Sequence, residues 1–112
     1  MASKKGNIII WGGGLRCLKI YNFFQNSKIL KKENLKVKYI FDKFIKKLNF
    51  KNNVIFSNKN SELDAMIRNS SHFIVAVGSE HGKARYLISE NLKKKGLKPL
   101  SVINKFSIIN TV

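Results

Sequence analysis

Apolar residues follow two rhythms along this chain. Asn7-Ile8-Ile9-Ile10-Trp11 is a continuous β-branched run that stops at Gly12-Gly13-Gly14, and it reads as a strand covered on both faces. Leu15 to Ser27 changes to helical spacing, with Leu15, Leu18, Ile20 or Tyr21, and Phe24 on one side. Leu35 to Phe41 alternates, turns apolar and is closed by Asp42, which predicts a second strand. Lys43 to Lys59 has no clear period, apart from a short third strand at Val54-Ile55-Phe56. Ser61-Glu62-Leu63-Asp64 opens a helix to about Arg68, with Asn60 or Ser61 as cap and acidic residues in the first turn. His72 to Val77 is a second buried strand, ending at Gly78. Gly82 to Lys95 predicts a helix with Ala84, Leu87, Ile88 and Leu92 on its apolar side, stopped by Gly96. Pro99 leads into a last strand, Leu100 to Asn104, and the tail from Lys105 to Val112 is short and apolar.

Strands alternating with helices imply a parallel sheet with right-handed crossovers. The expected fold is α/β: a small Rossmann-like three-layer domain with four or five parallel strands in the order 3-2-1-4-5. The switch point falls between strand one and the Ile74 strand, and ligands bind there, outside the carboxyl ends. Both of those ends carry glycine: Gly12-Gly13-Gly14 and Gly78.

Composition narrows the class. At 112 residues, with 44% hydrophobic content and 11% aromatic, the chain can bury a core as one domain. The lone Cys17 excludes a disulfide framework within the chain and a cysteine-rich zinc module. No apolar run approaches the roughly 18 residues of a spanning helix. The first residues do not form a signal peptide, so the expectation is a cytoplasmic protein without a membrane partner. The net charge of +16 invites polyanions. Its make-up argues otherwise: among 22 basic residues only Arg16, Arg68 and Arg85 are arginine, the residue suited to bidentate phosphate contacts. Much of the charge reads as background on solvated faces, and nucleic acid is disfavoured.

The candidate chemistry sits at the glycine ends. Gly12, Gly13 and Gly14 let a backbone approach phosphate, and Arg16 follows at the helix start. The dinucleotide fingerprint requires glycine at position 17, where Cys17 stands, so an ordinary NAD site is disfavoured. The alternative for these glycines is a tight turn without ligand. Asp42 can accept from a ribose, or serve as a turn aspartate. Gly78, Ser79 and Glu80 form the second loop, with Lys83 and Arg85 in reach of a diphosphate; Ser79 can equally cap the helix. Glu80 beside His81 is a possible general-base pair, but no nucleophile stands in register with it. His72 reads as structural. Cys17 reads as packing, with a lowered thiol pKa beside Arg16 as the alternative. No residues have metal-ligand spacing, and no catalytic residue is assigned.

Four segments in order carry a resemblance: Ile8 to Gly14; Ile40-Phe41-Asp42; Phe73 to Ser79; and Val102 to Ile109. Together they resemble the N-terminal domain of the sugar acyltransferase family of sialic-acid O-acetyltransferases (NeuD) and bacillosamine-pathway N-acetyltransferases (PglD), over nearly the whole chain. The resemblance implies a domain (1–104) binding a UDP-linked or other nucleotide-linked sugar, with 105–112 starting a connection to a left-handed β-helix. It further implies that the β-helix binds acetyl-CoA, carries the catalytic histidine and forms a homotrimer. This chain would then hold no cofactor and transfer no acyl group by itself. It departs from the family pattern at Leu15, where the pattern has a second glycine, and at Arg16 and Asn104, where it has histidine. Lys83 stands where an arginine is usual. The competing classes are a stand-alone nucleotide-binding protein or small enzyme, and a basic nucleic-acid-binding protein.

Overall fold

Ile8, Ile9 and Ile10 have no exposed surface, because the strand that holds them is covered on both sides. In the structure, a computed structural model describing residues 6–26, 32–77, 82–104 and 107–110, the elements are β1 (Asn7–Trp11), α1 (Leu15–Gln25), β2 (Lys36–Phe41), β3 (Ile55–Ser57), α2 (Asn60–Arg68), β4 (His72–Val75), α3 (Gly82–Lys94), β5 (Lys98–Asn104) and β6 (Ser107–Asn110). The sheet order is β3-β2-β1-β4-β5-β6. The first five strands pair in parallel in the order 3-2-1-4-5, as the alternation of elements predicts. The tail adds what the sequence reading lacks: Ser107–Asn110 turns back and pairs antiparallel with β5.

Two cores flank the sheet. Ile8, Ile10, Val37, Ile40 and Ile74 pack with Cys17, Tyr21 and Phe24 of α1. Ile9, Tyr39, Phe41 and Phe73 pack with Met66 and Ile67 of α2 and Leu92 of α3. The buried seam of α1 is Cys17, Tyr21 and Phe24, at i, i+4 and i+7, while Leu15 lies in solvent. On α3 the expected apolar side is only half used: Leu92 is buried, and Ala84 and Leu87 are exposed.

Val37 and Tyr39 belong to opposite cores, although two residues apart on a regular strand share a face. The cause is a bulge. Ile8 pairs with Val37 and Ile9 with Tyr39, so Lys38 is an extra residue on β2.

The β2–β3 crossover contains no helix. Leu48, Phe50 and Val54 of this segment pack against the α1-side core. Tyr21 and Phe50 rings lie 5.4 Å apart. The Tyr21 hydroxyl accepts from Asn53 N–H at 3.2 Å, and Asn58 Nδ2 donates to the Ile45 carbonyl at 2.9 Å. The α2 cap also differs from expectation. Asn60 is already helical, Lys59 takes the cap position, and no side chain caps the helix. Helix α3 ends as its glycine predicts. Gly96 has φ +91°, Gly96 N–H donates to Lys93 O at 3.0 Å, and Leu97 N–H to Leu92 O at 3.1 Å. This is a Schellman motif, with Leu97 and Leu92 in one core.

His72 opens β4, with Nδ1 2.8 Å from Ser71 Oγ. Burial first, then the Lys98 charge, hold its imidazole below the usual pKa of 6.5, against a smaller opposing pull from Glu33. The unfolded chain therefore binds more protons than the folded one below about pH 6.5. The contribution of neutral His72 is complete above that pH and is lost as pH falls towards the folded value. Urea midpoints are expected to drop from pH 7.5 to about 5.5, and to drop less in His72→Asn, compared by circular dichroism. An equal drop in both proteins would refute the assignment.

Candidate functional site

The carboxyl end of β1 is built around one backbone requirement. Gly12 has φ +113°, and a Cβ there would stand 2.9 Å from the Ala76 carbonyl oxygen. Gly12 N–H donates to Phe41 O at 2.7 Å, and Ala76 N–H to Trp11 O at 2.8 Å. The turn is thus held between β2 and β4, at the point where the strand order reverses.

Asp42 organises the next residue. Its Oδ2 accepts Gly13 N–H and its Oδ1 accepts Phe44 N–H, both at 2.8 Å. Gly13 is buried, and a Cβ on it would meet the tips of Ile45 and Leu48. The structure places Asp42 as a turn aspartate that ties the glycine turn to the β2–β3 segment. Gly14 is different: it is exposed, and a Cβ there would meet nothing within 4 Å. It occupies the N-cap of α1 with no side-chain cap and no acidic residue in the first turn. The helix therefore starts with amide donors that meet no side-chain cap among the described residues and with a positive dipole end, and Arg16 adds a cation where the dipole disfavours one. An anion at this end would satisfy all three.

Cys17 faces inward with no exposed surface. Burial, aided by the Asp42 charge, pushes its thiol up to about 12, which overturns the idea that Arg16 lowers it. A neutral buried thiol is a packing group.

Arg16 also lines a cleft of about 410 Å³ formed by α1, β4, α3 and β5. Ile20, Ile74, Pro99 and Leu100 contribute apolar wall, and Arg85, Tyr86, Ser89, Glu90 and Lys93 contribute polar groups from one side of α3. Glu90 pairs with Lys93 at 3.4 Å. Arg16 and Arg85 have no ion pair or side-chain hydrogen bond among the described residues. Lys83 is exposed and does not line this cleft. Gly78, Ser79, Glu80 and His81 lie outside the described residues.

The structure thus brings Gly12, Gly13, Gly14, Arg16 and Asp42 together and leaves Lys83 aside. Sequence reasoning missed Tyr86, Ser89 and Lys93. Their signal is the spacing Gly82, Tyr86, Ser89, Lys93 at i, i+4, i+7 and i+11, a polar stripe beside the apolar one. Among the described residues no group of three or more histidine, cysteine, aspartate or glutamate side chains is placed to hold a metal ion. No helix among them is long and apolar enough to cross a membrane.

No family model matches this chain, and no curated protein matches it. Among solved structures it is similar to the crystal structure of UDP-D-quinovosamine 4-dehydrogenase from Vibrio fischeri, with a TM-score of 0.71 and 18% identity. The likeness covers 96% of this chain and 94% of the other. At that identity it establishes the Rossmann-like α/β fold.

Proposed function

We propose that this chain is a nucleotide-sugar-binding domain whose glycine turn receives the diphosphate. One observation carries the reading: the uncapped N-terminus of α1, open at Gly14 and bearing Arg16, lies at the switch point beside the cleft. A structural neighbour named for a UDP-sugar supports it. In this reading Gly12 and Gly13 shape the turn, and the amides after Gly14 meet the phosphate oxygens. Each Asp42 oxygen keeps a lone pair beyond its backbone bond, so the carboxylate can hold the turn and still accept from a ribose hydroxyl. Gly78, Ser79 and Glu80, the other residues expected at the ligand, lie outside the described residues.

The role assigned to the chain is binding. The wider acyltransferase setting, with acetyl-CoA on a trimeric β-helix, rests on motif order alone. It is tested by whether hexapeptide repeats follow Val112 in the reading frame.

Calorimetry with UDP-N-acetylglucosamine and its guanosine and cytidine counterparts tests the binding reading. Micromolar to millimolar binding is expected with at least one. Arg16→Gln should weaken it about tenfold, the scale of one charge-assisted contact. Amide shifts at Gly12 to Gly14 should report the same event by NMR. No heat with any of these ligands would sink the proposal.

A further inference from the structure

This chain uses lysine as its ordinary cation, and arginine stands at three positions only. Arg68 sits in the last turn of α2, where the helix dipole favours a cation. The other two, Arg16 and Arg85, come from separate helices and line one cleft. Arg85 is half-buried and has no ion pair or hydrogen bond among the described residues. Among the described residues the one carboxylate on the wall is Glu90, which pairs with Lys93. A half-buried arginine whose fork meets no partner among the described residues is suited to a planar anion. The cleft extends along α3 from Gly82 to Lys93, with apolar surface from Ile74 and Leu100. That surface suits the flat apolar side of a pyranose ring.

We infer that the cleft takes the sugar half of the ligand and that this sugar is acidic, its carboxylate gripped by Arg85. The inference rests on the sugar-nucleotide reading above and adds the substrate class to it. Arg85 is then a specificity-determining residue, while Arg16 serves the diphosphate at the mouth.

The test compares acidic and neutral sugars on one nucleotide: UDP-glucuronate against UDP-glucose, and GDP-mannuronate against GDP-mannose. Calorimetry uses the 112-residue chain at about physiological ionic strength. In the series that binds, the acidic sugar is expected to bind about tenfold tighter. Arg85→Gln should remove that preference and leave the neutral sugar within about twofold. Lys94→Gln, an equal loss of charge at an exposed position of α3 outside the cleft, should keep it. Equal affinity for the wild-type pair overturns the acidic-sugar inference and leaves the diphosphate reading standing, and this comparison requires no variant. So does an equal weakening of both sugars by Arg85→Gln, which would place Arg85 on the diphosphate. Binding of no sugar nucleotide overturns both readings.

Discussion

Gly12→Ala is expected to lose about 3 kcal/mol of folding stability, a large part of the roughly 5–15 kcal/mol available to a domain of this size. Two penalties act at once. At φ +113° an L-residue is strained, and the new Cβ would sit 2.9 Å from Ala76 O and 3.1 Å from Ala76 C. Those are backbone atoms of the segment following β4, so no side chain can swing away. Relief would require β1 and β4 to part at their carboxyl ends, where Ala76 N–H donates to Trp11 O. Gly14→Ser is the control. With φ −87° and open space around it, serine fits and offers the side-chain cap that α1 lacks. Its midpoint in urea should stay level or rise slightly. A Gly12→Ala midpoint within 1 kcal/mol of wild type, as a rough threshold on the scale of ordinary substitutions, would show that the turn yields.

Phe41→Ala should cost more, about 3–5 kcal/mol, with the thermal midpoint lowered by about 15 °C or more. Phe41 has no exposed surface and joins Trp11 in an edge-to-face pair with centroids 4.9 Å apart. It lies in the core under α2 and α3, so alanine leaves a cavity between layers that cannot close independently. The fluorescence of Trp11, the lone tryptophan, reports the change directly. Phe44→Ala supplies the contrast three residues away. That ring is 90% exposed, and its removal should shift stability by less than about 0.5 kcal/mol. Similar losses at the two sites would mean that the core assignment is wrong.

The sequence made the parallel order and the glycine turn readable because both depend on local pattern. Runs such as Ile8-Ile9-Ile10 and Phe73-Ile74-Val75 admit little besides a doubly covered strand, and short connections restrict their order. What escaped is held by contacts distant in sequence. The β2–β3 segment has no period because its shape comes from Asn53 on Tyr21, Asn58 on Ile45 and Asp42 on Gly13. β6 exists by pairing with β5, and its short apolar run has no feature that sets it apart from a connection. Of the candidate site, the turn was visible and the cleft was not. A cleft depends on which side of α3 meets β5, and the polar stripe from Gly82 to Lys93 gives no burial signal of its own. Asp42 lies where the end of β2 places it; its bonds to Gly13 and Phe44 show the turn role, and the ribose role is part of the proposed function.

Lys38 gives β2 a parity. From Lys36 to Phe41 the strand has an even count of residues, one more than the five of β1 that it pairs with. That one residue decides whether the end of the strand aims its side chains up or down. With it, Ile40 enters the α1-side core and Phe41 the core under α2 and α3, rather than the reverse, and the next carboxylate arrives at Gly13. Removing it would straighten the ladder and invert everything downstream, so that Asp42 would point away from the turn it ties. Relatives that keep the aspartate must keep the odd residue, whatever its identity, or lose it together with a second compensating change.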